Sequence, residues 1–159
     1  MANLKSQFAM LAVLGLPILL AAAIFGPTAF DLAFHRRPPE RYLIPAGYSG
    51  WVRVDYGQKS APSLPVEDGR RLIKFDANGK AVTSSAPLTG HGKDEFFYDS
   101  GAKRTVLSTA GVCKGGMIWA PETLIDPSAS TLSLRFFVGT EDQYRREVDP
   151  TGKKFPACE

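Results

Sequence analysis

Two histidines, two cysteines and sixteen acidic residues are the groups in this 159-residue chain that could do chemistry. The histidines are His35 and His91, and neither lies at ligand spacing from a cysteine or from the other, so a structural zinc site lacks its ligands. Nucleophilic catalysis needs a Ser or Cys, a base and an orienting acid, and His91 is the base available in the body of the chain. It stands in Gly90-His91-Gly92-Lys93-Asp94-Glu95. Pairing His91 with Asp94 or Glu95 gives the alternative reading, a small exported hydrolase. The preferred reading of the same stretch is a glycine-flanked surface loop with a solvated charge run. The acids Glu67-Asp68 and Asp99 fall in turn sequences, where any β domain carries carboxylates. No glycine-rich run ends in the Lys-Ser/Thr pair that a phosphate cradle requires. The expectation is a chain with no catalytic constellation, no metal and no cofactor. The candidate binding surface is Tyr48, Trp51, Tyr56 and His91, set against the reading of the aromatic residues as core and edge packing.

The cysteines are Cys113 and Cys158. In an exported domain they are expected to form one disulfide, because such bonds persist outside the cytoplasm. The bridge would close a loop of about 45 residues and staple the C-terminal tail to the body.

Composition frames the rest. Nineteen Lys and Arg against sixteen Asp and Glu leave a small positive charge mixed along the chain, not the basic stripe that tracks phosphates, so nucleic acid is not an expected partner. From Ser6 to Phe30 there is no charged residue, and the run is long enough to span a bilayer as a helix. Ala21-Ala22-Ala23 also fits a signal-peptide cleavage site. Residues 1–30 are thus a signal or a transmembrane anchor, and the continuation through Ile24, Phe25 and Phe30 favours the anchor. No cysteine lies near the end of the run, which argues against lipid attachment there. Residues 31–41 read as a charged spacer, 42–148 as a β domain and 149–159 as a tail. The arginines Arg36, Arg37 and Arg41 follow the run, and counted strictly they would keep the domain in the cytoplasm. The cysteine pair favours the outside.

The elements that must position these residues are short strands. Trp51 to Tyr56 alternates, with Val52, Val54 and Tyr56 on one face and Trp51, Arg53 and Asp55 on the other. Arg70–Phe75 is a second strand, Asp76–Gly79 a turn, and Lys80–Ser84 its returning hairpin strand. Asp94–Tyr98 and Arg104–Ser108 flank another hairpin turn. Met117-Ile118-Trp119 is a short apolar run stopped by Pro121, and Leu124–Ser130 is a turn. Leu132–Val138 alternates again, and Thr140 with Gln143 forms the capping pair of a short helix. Six to eight short strands suggest a small antiparallel β-sandwich or barrel-like domain.

The order IPAGYSGWVRVDYG, LPVEDGRRLIKFDANGKAVTSS, KDEFFYDSGAKRTVL and FFVGTEDQYRR resembles an uncharacterised bacterial domain family with I-P-x-G-Y-x-G-W-V and F-V-G-T-E-x-x-Y signatures. The likeness covers Tyr42 to Arg146. It implies an exported or membrane-tethered protein of unknown activity. The first half is also similar to transthyretin-like and carboxypeptidase regulatory-like sandwiches. Together these observations predict an accessory or binding domain, single-pass in the cytoplasmic membrane and facing outward, or secreted if the N-terminus is cleaved. The membrane and a protein are its expected partners, in an envelope assembly.

Overall fold

The computed structural model describes residues 36–126 and 131–151. The N-terminal signal or anchor, His35 and Cys158 lie outside them. Contacts divide the chain into two compact units, residues 1–37 with Thr89–His91, and Pro38–Leu88 with Gly92–Glu159. In the first, Arg36 makes a parallel bridge with His91, and the Arg37 backbone N–H donates to the His91 carbonyl at 3.0 Å.

The second unit holds two mixed sheets. The first has the strand order β3-β4-β1-β6-β7, with β1 Glu40–Pro45, β3 Val66–Glu67, β4 Arg70–Lys74, β6 Glu95–Asp99 and β7 Arg104–Val106. The second has the order β5-β2-β9-β8, with β2 Gly50–Asp55, β5 Lys80–Val82, β8 Ile118–Asp126 and β9 Thr131–Val138. Helix α1, Glu141–Val148, follows β9 and is closed at its start by the reciprocal capping box of Thr140 and Gln143. Tyr42, Ile44 and Ile73 of the first sheet meet Val52, Val54, Phe136 and Val138 of the second in one core. Phe136 is its hub, edge-on to Tyr42, Phe75 and Phe96 with centroids 5.3–5.9 Å away.

The sandwich is not antiparallel, and no barrel closes among the described residues. β1 runs parallel to both β4 and β6, and β2 runs parallel to β5. The cause is the turn after β1. Pro45 to Ser49 carries the chain across to the other sheet, so β1 takes its neighbours from later segments reached by crossovers. For the same reason Lys80–Val82 does not return as a hairpin on β4 but pairs with β2. A strand also precedes Trp51–Asp55: β1 begins at Glu40, inside the expected spacer. β8 does not stop at Pro121. It runs through a bulge between Trp119 and Glu122, where Ala120 has φ 46°, and proline is tolerated because β8 is an edge strand among the described residues.

Tyr48 locks the crossing turn. Its hydroxyl donates toward the Trp51 carbonyl at 2.8 Å, its carbonyl accepts from the Tyr98 hydroxyl at 2.6 Å, and its ring lies over Gly79. A Cβ on Gly79 would fall 2.2 Å from the Tyr48 oxygen, and the residue has φ 73°. Gly79→Ala should therefore destabilise the fold by about 2–3 kcal/mol, combining left-handed strain with a displaced tyrosine. Tyr48→Phe should cost about 1 kcal/mol. Urea unfolding of both variants measures the difference.

Candidate functional site

Three polar groupings are built on this frame, and the first lies at the start of β1. Glu40 is 3% exposed. It accepts two hydrogen bonds from the Arg71 guanidinium, at 3.0 Å from Nε and 2.5 Å from Nη2, and a third from the Tyr42 hydroxyl at 3.2 Å. Glu40 and Arg71 are register partners, so strand pairing alone places the carboxylate beside the guanidinium. Asp94 accepts from the Glu40 backbone N–H at 2.9 Å. Burial pushes the Tyr56 phenol up to about 12, and the Glu40 carboxylate adds to the shift. Tyr42 is displaced further in the same direction, again chiefly by burial.

The second grouping covers the other face of the same sheet. Arg41 points away from Glu40 by strand alternation and donates to Glu95 at 3.0 Å and to Glu67 at 2.6 Å. Glu67 also pairs with Arg104, and Arg70 lies 3.3 Å from Glu95. Glu67 is on β3 and Arg104 on β7, the two outer strands of the sheet, so the β3–β4 hairpin leans over this face. Its two-residue turn, Asp68-Gly69, has both φ angles positive (52° and 74°), the geometry of a tight hairpin. The Arg104 guanidinium beside it holds the Glu67 carboxyl below the usual carboxylate range.

The third lies on the outward face of the second sheet. Trp51 is half-buried there, edge-on to Phe137 and Tyr144, with the Arg135 guanidinium 4.4 Å over its ring. Tyr144 of α1 also stacks on Trp119 at 5.5 Å, and the Trp119 indole donates to the Gly139 carbonyl. Further along the face, Asp55 accepts from Ser133 at 2.7 Å and from Arg53 at 2.5 Å. Burial pushes the Asp55 carboxyl up, but these two partners and Lys80 outweigh it and leave the group below its ordinary value.

The candidate binding residues of the second unit, Tyr48, Trp51 and Tyr56, have different settings. Tyr56 faces the core and is 3% exposed, and Tyr48 is the bolt of the crossing turn. Trp51 underlies α1, and His91 is exposed in the first unit. Asp94 and Glu95, the acids set beside His91 in sequence, are hydrogen-bonded to Glu40 and Arg41. Among the described residues no group of three or more His, Cys, Asp or Glu side chains could hold a metal ion. Cys113 has φ 59°, and its backbone N–H donates to Glu141 at 2.6 Å. Cys158, its expected disulfide partner, lies outside the described residues. Sequence reading missed Glu40 and Arg71. The signal available was the run Tyr42-Leu43-Ile44, whose continuous burial marks a strand covered on both faces.

The depressed Asp55 carboxyl gives a pH dependence of defined sign. A carboxyl whose folded pKa lies below its unfolded value, about 3.9, stabilises above that value, and the contribution is lost as pH falls through the folded one. Asp55→Asn should lower stability at pH 7 and flatten the loss of stability below about pH 4. Denaturant midpoints taken from pH 7 down to pH 2 measure both.

The comparisons with known proteins bear on the fold. A crystal structure of a Bacillus anthracis protein provisionally named a lipoprotein superposes with a TM-score of 0.55 at 23% identity, over 77% of this chain and 85% of that one. At that identity the likeness is one of fold. No curated protein matches the sequence. The family of unknown function DUF6843 matches residues 36–134, from the Arg36 bridge into β9, and the chain belongs to that family.

Proposed function

We propose that this protein is a membrane-tethered domain on the outer side of the cytoplasmic membrane, acting by binding as an accessory subunit of an envelope assembly and not by catalysis. The observation that carries the reading is its fold, shared with a protein named as a lipoprotein, placed behind an apolar run long enough to anchor. The two proteins would then hold the same kind of domain at a membrane by different means, a lipid in one and a peptide segment in the other. No helix among the described residues is long and apolar enough to cross a membrane, so that role falls to residues 1–30. The absence of an enzyme activity is supported by the acids around His91, which are engaged with β1. Of the four candidate surface residues, Tyr48, Trp51 and His91 keep exposed or half-exposed side chains, and since the Tyr48 hydroxyl is engaged in the crossing turn, Trp51 and His91 are the ones offered to a protein partner.

A Cys113–Cys158 disulfide belongs to the same reading. Cys113 lies at the first residue of α1, through its bond to Glu141. The tail departs after the other end of an eight-residue helix, about 12 Å away. Nine residues from Asp149 to Cys158 reach about 30 Å, ample to return.

Thiol labelling of intact cells tests the location. Cys113 and Cys158 should stay unreactive until reduced, and protease added from outside should digest the domain. Free thiols in a protease-protected domain would overturn the location and the bridge together. Cys113→Ser should lower stability by about 4 kcal/mol, the chain-entropy value for so long a loop. His91→Ala should leave partner capture from membranes unchanged, and loss of a hydrolytic activity in that variant would establish the enzyme reading instead.

A further inference from the structure

We propose that Arg36 and His91 form a clamp for the phosphate of an anionic membrane lipid, close to where the chain leaves the bilayer. The proposal rests on the tethering above and names the lipid contact that goes with it.

The first unit supplies the geometry. Arg36 and His91 are partners in a parallel bridge. Paired strands lie about 4.8 Å apart and send successive side chains to opposite faces, so the two side chains of a bridged pair rise together from one face. Both residues are exposed. Arg37 holds the bridge in place: its backbone N–H donates to the His91 carbonyl at 3.0 Å and its Nε to the Gly90 carbonyl at 3.2 Å. Gly90 has φ 99°, a conformation that glycine adopts without strain, and this lets the loop turn two successive carbonyls toward Arg37.

The chemistry of the pair suits a phosphate. A guanidinium is a planar fork of donors that matches phosphate oxygens in pairs, and it can serve a second acceptor with its remaining N–H groups. An imidazole keeps at least one N–H donor in either protonation state. The acids that follow His91 in sequence have other partners, Asp94 the Glu40 N–H and Glu95 the Arg41 guanidinium. Place selects the lipid as the source of the phosphate. Arg36 stands six residues beyond Phe30, the end of the uncharged run, and six residues span at most about 20 Å. A tethered chain therefore keeps this pair near the headgroups, where each cation is favoured about fivefold by an anionic leaflet. With His91 turned to lipid, Trp51 is the residue left for the protein partner, which accords with the unchanged partner capture expected of His91→Ala.

Nuclear magnetic resonance of the full chain in a sugar-headed detergent, which carries no phosphate, tests the clamp. Short-chain phosphatidylglycerol should shift the Arg36 Nε–H and the His91 ring signals saturably. An uncharged monoacylglycerol, and inorganic phosphate at the same concentration, should not. Arg36→Gln should weaken the lipid about fivefold and His91→Ala should also weaken it, whereas Arg146→Gln, at an exposed arginine of α1, should leave the affinity unchanged. Absence of the lipid-dependent shifts, or an equal loss in Arg146→Gln, would overturn the proposal. Equal shifts with inorganic phosphate would overturn it too, by assigning the pair to soluble anions. If Arg36→Gln does not fold, His91→Ala and the comparison of ligands in the parent chain decide. A failed clamp leaves the tethering standing, since thiol labelling reads that independently.

Discussion

The buried pair Glu40–Arg71 is the constraint on which the first sheet depends. Removing a carboxylate from water costs several kcal/mol, and an ion pair repays this only when its remaining lone pairs are satisfied. Here they are, by the two guanidinium nitrogens and the Tyr42 hydroxyl. Such a pair is weak evidence of net stability, but it is a strong specifier. Glu40 and Arg71 face each other across a parallel ladder, and a slip of one residue would turn one of them to the opposite face and part the pair. The neighbouring residue then matters as much. Arg41, on the other face, takes Glu95 from β6 and Glu67 from the β3–β4 hairpin. Two consecutive residues thus fix the register of the central strand against both of its neighbours.

This explains how so short a strand can hold the middle of a sheet. Parallel pairs have slanted bonds and no hairpin to set their alignment. β1 has six residues, and its apolar centre, Tyr42-Leu43-Ile44, would tolerate more than one alignment on hydrophobicity alone. Charge at one end and the Tyr48 bolt at the other remove the ambiguity. The bolt works because Gly79 has no side chain, so a tyrosine ring can lie against the backbone of a turn from the other sheet. The two sheets are therefore joined at the crossing as well as through the Phe136 core.

The parts of this fold that were legible in sequence are those fixed locally. Val52, Val54 and Tyr56, and likewise Leu132, Leu134, Phe136 and Val138, alternate as the half-buried strands they are. The Thr140–Gln143 cap closes α1 as its spacing implies, and Asp99 to Lys103 makes the hairpin between β6 and β7. What was not legible is pairing. Nothing within Lys80–Val82 says that its partner is β2 and not β4, because that choice is made by the crossing turn some thirty residues earlier. β1 was hidden because its charged first residues look like a spacer until their partners, thirty and fifty residues on, are brought beside them. Pro121 misled for a similar reason: it ends a central strand but not an edge strand with a bulge. Trp51 stands out of step with the core residues because a second, smaller apolar cluster, closed by Tyr144, awaits it on the outer face.

The disposition of charge also bears on what kind of activity such a domain supports. Glu67 and Asp55 are held below the ordinary carboxylate range by arginines and a hydroxyl, and Glu40, Glu95 and Asp94 bond to groups of β1 or to its neighbours. A general acid near neutrality requires the opposite environment, one that raises the carboxyl and leaves it facing a substrate. The acids described here join segments far apart in sequence, β1 to β4, β6 and the β3–β4 hairpin, and β2 to β9. Each of these pairs ties together segments far apart in the chain, and the strand that receives most of them is β1, the central strand of the first sheet.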